Sequence, residues 1–218
     1  MFQFPKWMNG LKSALAVGLL AGPAYAVVVV LYGFSPQATD VGYQPVQPIP
    51  YSHALHVGKL GIDCRYCHTT VEDAAHAAVP PTQTCMNCHS QIQGRDDRQT
   101  ANIKKIIDSH TTGKPVHWIR VHDAADFVYF NHAAHINRGV GCVSCHGRVD
   151  QMEVVYQQEH LSMQWCLDCH RNPGPHLRPP EFVTKMDWAP DRDPARLASD
   201  LAEQYQINPS TDCSTCHR

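Results

Sequence analysis

The chain has 218 residues, with 18 Lys and Arg against 20 Asp and Glu, and only 17% of its residues are charged. This balance excludes a basic nucleic-acid-binding domain and a highly charged disordered chain. Outside an apolar stretch at residues 13–34, the other 196 residues hold 36 Leu, Ile, Val and Phe, about 18%, which is less than a self-sufficient core usually needs. The interior must therefore be filled by something besides aliphatic side chains.

The apolar stretch at residues 13–34 carries no charge over 22 residues, which is long enough for a helix to cross the hydrocarbon core of a bilayer. A cleaved secretory signal is the alternative, because Lys6 and Lys12 precede the stretch and Ala24-Tyr25-Ala26 resembles a cleavage site. Residues 27–31 remain strongly apolar beyond that site. This continuation favours a retained transmembrane helix.

The basic residues predict the orientation of this helix. Two lysines precede it, whereas no Lys or Arg follows it until Lys59. By the positive-inside rule, residues 1–12 lie in the cytoplasm and residues 51–218 lie outside the membrane. The Pro-rich segment 35–50 is expected to be an extended linker between them.

Every cysteine of the chain belongs to a C-x-x-C-H motif. Two thiols at this spacing form thioethers to the vinyl groups of haem, and the following histidine binds the iron. Structural zinc would leave the five adjacent histidines unexplained, and a thioredoxin-like redox motif occurs once, in a βαβ setting. We therefore predict five covalently bound haem c groups and no disulfide. The motifs are Cys64, Cys67 and His68; Cys85, Cys88 and His89; Cys142, Cys145 and His146; Cys166, Cys169 and His170; and Cys213, Cys216 and His217.

Five haem macrocycles would supply the apolar surface that the sequence lacks. The predicted fold is a mostly irregular and α-helical multihaem cytochrome c domain, packed around its haems as in class III cytochromes, with one N-terminal transmembrane helix. A short amphipathic helix is expected from Ile103 to His110. Another is expected after Asp193, which offers an N-cap followed by Pro194 at the first helical position.

An aromatic-x-His-x-x-His element occurs twice, at Tyr51–His56 and at Phe130–His135. It ends eight residues before Cys64 and seven before Cys142, and a second haem motif follows each of these cysteines by 21 and 24 residues. The chain therefore contains two dihaem repeats with a period of about 78 residues. The predicted parts are repeat modules at about 51–110 and 130–180 and a terminal haem segment at 181–218.

Five six-coordinate haems need five further ligands, and ten histidines lie outside the motifs. The first members of the repeated pairs, His53 and His132, are the leading candidates. His56 and His135 follow, because a His-x-x-His pair on a helical turn presents both imidazoles from one face and serves two irons. The alternative for the second members is a hydrogen bond to a haem propionate or to the backbone.

Residue type and spacing do not decide which side chain is the fifth additional iron ligand. Met163 lies three residues before Cys166 and offers a thioether, although methionine is more often core filler. His122, Met152 and His160 are the alternatives. The other histidines are expected to be structural or solvated.

Several sequence runs recur in the same order in one known family. They are YSHALHVGKLGIDCRYCH, TCMNCH, VHDAADFVYFNHAAHINRGVGCVSCHGRVDQMEVVYQ, LSMQWCLDCHRNP and a terminal CSTCH. With the N-terminal helix, they make the chain similar, from about Tyr51 to Arg218, to the pentahaem cytochrome subunit of alternative complex III. The resemblance implies haem attachment at all five motifs. It also implies His53, His56, His132, His135 and Met163 as iron ligands.

The resemblance further implies an electron-transfer subunit of a quinol-oxidising complex in the bacterial inner membrane, with its haem domain in the periplasm. Electrons would come from an iron–sulfur subunit that resembles molybdopterin enzymes, working with polytopic quinol-binding membrane subunits. They would pass to a monohaem cytochrome c subunit or to a terminal oxidase. No nucleic acid is expected as a partner.

Two other functions agree with part of the sequence. A self-contained, membrane-anchored multihaem quinol dehydrogenase feeding periplasmic reductases also has one N-terminal helix and a compact haem domain. A small nitrite or hydroxylamine reductase needs an open iron position, and it is disfavoured because all five motifs end in His. We therefore expect an electron relay without catalytic residues for bond chemistry.

Overall fold

The computed structural model describes residues 5–34 and 40–217. The chain divides into two units, residues 1–42 and residues 43–218. In the first unit, helix α1 spans Met8–Gly33 and contains Pro23. Its segment Gly10–Gly33 has a mean hydropathy of 2.3, and it is the one helix of the described residues that is long and apolar enough to cross a membrane. The predicted helix at 13–34 is therefore present, and a membrane anchor and a signal sequence both have these properties.

The second unit consists of short helices joined by irregular segments, as predicted. Within the described residues it contains no β-strand, only an isolated antiparallel bridge between Val140 and Leu177. Its α-helices are α2 (Cys64–Cys67), α3 (Thr82–His89), α4 (Asp97–Thr112), α5 (His132–Ile136), α6 (Val143–His146), α7 (Met163–Arg171), α8 (Pro194–Gln204) and α9 (Cys213–Cys216). A π-helical turn spans Ala54–Lys59, and 3₁₀ turns span Val149–Gln151, Gly174–His176 and Pro180–Phe182.

Both helices predicted from local signals are confirmed. Helix α4 begins at the N-cap Asp96, whose side chain accepts a hydrogen bond from Gln99 N, and it ends at Gly113 with φ of 68°. The carboxylate of Asp193 caps α8 by accepting a hydrogen bond from Arg196 N at 2.8 Å. Helix α8 buries Leu197 and Leu201 on its inner face, as its apolar spacing requires.

The predicted linker at 35–50 is only partly described, because residues 35–39 lie outside the described residues. Residues 43–50 belong to the second unit, contain no helix or strand and are hydrogen-bonded to other parts of that unit. Gln47 exchanges two hydrogen bonds with the backbone of Ile119, at 2.8 and 2.9 Å. Lys105 donates to the carbonyl of Pro48, and Ile49 is buried. This stretch is therefore anchored through side chains that its Pro-rich composition did not reveal.

The aliphatic core is small, as the composition indicates. Only eight hydrophobic side chains are buried among the described residues. They include two clusters, one of Val71, Ile136 and Val183 and the other of Leu177, Leu197 and Leu201. A core of this size is small for a domain of this length. The protein interior therefore depends on a further apolar component.

The two repeats pair with each other reciprocally. In the first repeat, Ala54 N donates to the carbonyl of Met152 at 3.0 Å; in the second, Ala133 N donates to the carbonyl of Ala74 at 3.2 Å. Donors and acceptors correspond at offsets of 79 and 78 residues along the chain. The segment after the first haem motif of each repeat thus supports the His-x-x-His turn of the other. Such reciprocal hydrogen bonds are expected when two repeats are related by approximate two-fold symmetry.

Candidate functional site

Each C-x-x-C-H motif lies at a single helical turn, in α2, α3, α6, α7 or α9. Residues three apart on such a turn share one face, so the two thiols of a motif point in the same direction. In the first motif the turn is fixed by Asp63, whose carboxylate accepts a hydrogen bond from Arg65 N at 2.9 Å. The turn of the first motif is therefore fixed by the residue that directly precedes it.

The histidines of three motifs are held through Nδ1. His68 Nδ1 lies 2.8 Å from the carbonyl of Ala78, His170 Nδ1 2.6 Å from that of Ser210 and His217 Nδ1 3.2 Å from that of Phe127. A carbonyl accepts only, so Nδ1 must carry the proton in each ring. This tautomer leaves the lone pair on Nε2, the arrangement in which histidine ligands bind a metal.

The same arrangement occurs in three of the four histidines of the repeated pairs. The Nδ1 atom lies 2.8 Å from the Ser52 carbonyl in His56, 2.9 Å from the Ala75 carbonyl in His132 and 2.7 Å from the Asn131 carbonyl in His135. The fourth, His53, has a buried Nδ1 without a partner among the described residues, and so does the motif residue His89. Because buried polar atoms are usually satisfied, the Nδ1 atoms of these two rings are exceptions. In the other six rings the lone pair is on Nε2, and together with the five thiol pairs they form a donor set that fits haem.

In three pairs of imidazoles the distance between ring centres is that expected for two histidines that bind one metal ion from opposite sides. Two imidazoles on opposite sides of a metal have ring centres about 6 Å apart, since the metal–nitrogen bond is about 2.0 Å and that nitrogen lies about 1 Å from the ring centre. The ring centres are 6.2 Å apart in His56 and His89, 6.3 Å in His132 and His146, and 6.1 Å in His135 and His170. Each pair joins a motif histidine to a histidine from a repeated pair.

The aromatic residue of each repeated element holds both of its histidines. Tyr51 stacks on His56 with ring centres 4.4 Å apart and meets His53 edge-on at 4.7 Å. Phe130 does the same to its own pair, stacking on His135 at 4.5 Å and meeting His132 edge-on at 4.8 Å. These orienting roles were missed in the sequence, although the repeated aromatic position was the signal for them.

The candidates for the fifth additional ligand lie in different surroundings. His122 Nε2 is buried without a partner among the described residues, but the ring lies only 4.3 Å from His146, too close for opposite sides of one iron. Met163 begins α7 and is 67% exposed. Met152 is buried, and His160 is exposed with Nδ1 at 2.9 Å from Ser162 Oγ. Within residues 5–34 and 40–217, neither His122 nor His160 forms an imidazole pair with a ring spacing of about 6 Å, since His122 is 4.3 Å from His146 and the aromatic neighbour of His160 is Trp165.

The histidines gathered in the interior are neutral near pH 7. Removal from water lowers the pKa of His146 to about 3 and that of His53 to about 4, with neighbouring imidazoles adding to the effect. Burial likewise lowers the pKa of His122, His132 and His135. A neutral imidazole is the form that binds iron.

The five motifs are neighbours in a single order in the folded chain, which we call the line of motifs. Cys64 and Cys142 lie within electrostatic range of each other, which brings the first and third motifs together. On one side, Cys67 lies within electrostatic range of Cys85 in the second motif. On the other, Cys145 lies within range of Cys166, and Cys166 within range of Cys216 in the fifth motif. The order is second, first, third, fourth and fifth.

The ends of this line are its most open positions. Among the ten cysteines, Cys88 of the second motif and Cys213 of the fifth are exposed, whereas the other eight are partly covered. The first and third motifs, at the centre of the line, are hydrogen-bonded to the distant 183–184 segment. Val183 accepts a hydrogen bond from Cys142 N at 3.0 Å, and Thr184 donates its hydroxyl to Asp63 at 2.8 Å.

Comparison with known proteins agrees with this architecture. Residues 128–218 match the family model of cytochrome c7 and related cytochrome c. The chain is also 35% identical over 166 residues to the menaquinone reductase, multiheme cytochrome c subunit, of Nitratidesulfovibrio vulgaris, an alignment that covers 67% of this chain and 78% of that relative. The chain therefore belongs to the family of multihaem cytochrome c subunits that includes this relative, and it is a protein of covalently bound haem c.

Proposed function

We propose that this chain is the electron-relay subunit of a membrane complex that exchanges electrons with the quinone pool, and that it carries five haems. The observation that supports this most strongly is the set of three imidazole pairs with ring centres 6.1, 6.2 and 6.3 Å apart, each joining a motif histidine to a histidine of a repeated pair. The motifs at the two ends of the line carry the exposed Cys88 and Cys213. When bound, haem iron supplies reversible one-electron exchange. The polypeptide contributes position, ligands and exclusion of water.

The axial ligands proposed for three haems follow from the ring spacings. We assign His56 to the second motif, His132 to the third and His135 to the fourth, opposite His89, His146 and His170. The repeat supports His53 as the ligand opposite His68 in the first motif, because His53 and His132 occupy equivalent positions. Met163 remains the proposed sixth ligand for the fifth motif, since Cys166, three residues further on, lies near Cys216.

Filled axial positions favour electron transfer over bond chemistry. A histidine held through Nδ1 by a backbone carbonyl is fixed in orientation. Where two such histidines would hold one iron, no position would be left for a substrate. These residues therefore support a relay rather than a substrate-binding haem.

Two directions of electron flow are proposed for test. The resemblance to alternative complex III supports quinol oxidation, with an iron–sulfur subunit and polytopic membrane subunits on the donor side and a monohaem cytochrome c or an oxidase as the acceptor. The similarity to a menaquinone reductase subunit supports the reverse direction, with electrons delivered to menaquinone. In both, α1 anchors the chain with residues 1–12 in the cytoplasm and the haem domain in the periplasm.

The test uses the intact complex, purified from native membranes through a tag on this chain. One sample receives a menaquinol analogue without an acceptor, and a second is reduced in advance and receives the menaquinone analogue. Visible spectroscopy monitors the haems in both samples. Rapid reduction of the haems in the first sample supports quinol oxidation. Rapid reoxidation of the haems in the second sample, without rapid reduction in the first, supports quinone reduction. If neither quinone nor quinol changes the haem spectrum, the proposed exchange with the quinone pool is wrong.

Purification of the chain without partners distinguishes the alternative function, a self-contained quinol dehydrogenase, from the proposed relay. Reduction of its haems by quinol at the rate of the complex would favour that function. A relay requires the other subunits, so we expect quinol to reduce the isolated chain at least about tenfold more slowly. Ascorbate or dithionite provides the control that the haems of the isolated chain are competent.

A further inference from the structure

Arg178 is a buried cation whose role the haem ligands do not explain. It is 7% exposed, and its Nε atom is buried without a partner among the described residues. Its NH1 group donates to the carbonyl of Lys185 at 2.8 Å, and its guanidinium carbon lies 5.1 Å from the ring centre of Trp188. A charged side chain is rarely buried without an anionic partner.

The guanidinium lies against the backbone that precedes the third haem motif. A Cβ atom on Gly141 would stand 2.2 Å from Arg178 Nε and 2.3 Å from Cζ. Gly141 is followed directly by Cys142, the first tether of that motif. The main chain is tied to the same place, since Arg178 N donates to the carbonyl of Gly139 at 2.8 Å. The charge is therefore fixed beside the centre of the line of motifs.

No carboxylate balances this charge in the described part of the chain. The ion pairs found there involve other arginines and a lysine, and none includes Arg178. The sulfur of Cys142, which follows Gly141, becomes a neutral thioether once haem is attached and so supplies no anion. The arginine keeps its proton at all relevant pH values.

We propose that Arg178 is a positioning residue that raises the midpoint potential of the haem attached at Cys142 and Cys145. A fixed positive charge in a poorly solvated place stabilises the reduced iron, which carries one positive charge fewer. At an effective dielectric constant of about 20, a unit charge about 10 Å away changes a one-electron equilibrium roughly tenfold. The inference rests on haem attachment at the third motif, as proposed above, and it is independent of the direction of electron flow.

The test compares Arg178→Gln with Arg178→Lys in the intact complex. Redox titration followed by electron paramagnetic resonance is expected to show one haem in Arg178→Gln with a midpoint potential lower by about 59 mV, which corresponds to the tenfold change. Arg178→Lys keeps the charge and is expected to shift that potential by less than half as much. Arg171→Gln is the matched control, because Arg171 follows the fourth motif directly but is 58% exposed at its side chain.

A second variant keeps the inference testable if Arg178→Gln does not assemble. In Gly141→Ala the new methyl group displaces the flexible Arg178 guanidinium from its place beside Cys142. The midpoint potential of the same haem should therefore fall, although the charge remains in the chain. Unchanged potentials in Arg178→Gln or in Gly141→Ala, with all haems retained, would overturn the inference. An equal fall in Arg178→Lys would also overturn it, because size rather than charge would then be the cause. Intact mass spectrometry separates these outcomes from failure of haem attachment. A third motif without haem in the unaltered chain would contradict the proposed function, whereas loss of that haem in a variant alone would show a role in attachment and would overturn the inference.

Discussion

Removal of the Asp63 carboxylate should loosen the centre of the haem domain. Asp63 caps α2 through Arg65 N at 2.9 Å, and it accepts the hydroxyl of Thr184 at 2.8 Å. Thr184 is buried, and the preceding residue, Val183, is bonded to Cys142 N. One carboxylate therefore links the first haem motif to the segment that fastens the third.

The free-energy cost of Asp63→Ala follows from these contacts. Loss of an N-cap costs about 1 kcal/mol, and a buried hydroxyl left without a partner costs about 1–3 kcal/mol. The ion pair with Arg65 adds at most about 1 kcal/mol, since both side chains are more than a third exposed. We expect a total of about 3 kcal/mol. For a chain of this length that corresponds to a fall in Tm of about 6–12 °C.

The assay is thermal unfolding of the haem-loaded protein, followed by far-ultraviolet circular dichroism. Thr184→Val removes only the hydroxyl and should lower Tm by about 2–4 °C. Asp212→Ala is the matched control: Asp212 precedes the fifth motif in the same way, but its side chain makes no capping hydrogen bond. A Tm for Asp63→Ala within about 2 °C of the unaltered protein would refute the proposed linkage.

The same contribution should depend on pH. The hydrogen bond from Arg65 is the main cause that lowers the pKa of Asp63 to about 2, whereas the unfolded value is about 3.9. A depressed carboxylate pKa gives stability that is complete above the unfolded value and is lost as the pH falls toward the folded value. The Tm difference between Asp63→Ala and the unaltered protein should therefore be constant above about pH 5 and narrow between pH 4 and 2. A difference that widens in acid would contradict this.

Three further substitutions test the ligands, the core and the backbone. His135→Ala should convert one haem from low spin to high spin in the electron paramagnetic resonance spectrum, whereas His110→Ala, on the exposed end of α4, should leave the spectrum unchanged. Leu201→Ala should lower the free energy of unfolding by about 2–4 kcal/mol in a denaturant titration, because the side chain is only 5% exposed; a cost under about 1 kcal/mol would argue against a packed terminal cluster. Gly139→Ala should destabilise by more than about 1 kcal/mol, since φ is 80° and the new Cβ would stand 2.3 Å from the carbonyl oxygen of Arg178; an unchanged Tm would show that the backbone can relax there.

Features with a local signal could be predicted from the sequence. The C-x-x-C-H motifs predict both tether and ligand within five residues, and the helix after Asp193 follows from its cap and Pro194. The repeated aromatic-x-His-x-x-His element predicts additional ligands, and three of its histidines lie 6.1–6.3 Å from motif histidines. The scarcity of aliphatic residues correctly indicated a small core.

Features that depend on contacts between distant segments could not be predicted. The ring of His132 is fixed by the carbonyl of Ala75, 57 residues earlier, and no sequence spacing indicates that contact. The position of Arg178 beside Gly141 has the same origin, because an isolated bridge between neighbouring residues brings the two segments together. The order of the motifs along the line, in which the second precedes the first, also arises only in the folded chain.

Intact mass spectrometry of the chain under denaturing conditions tests the central claim most directly. If each motif holds one haem through two thioethers, the mass must exceed that of the polypeptide by five haems, and alkylating reagents must find no free thiol. A mass corresponding to four haems or fewer, with a pair of cysteines open to alkylation, would contradict a five-haem relay.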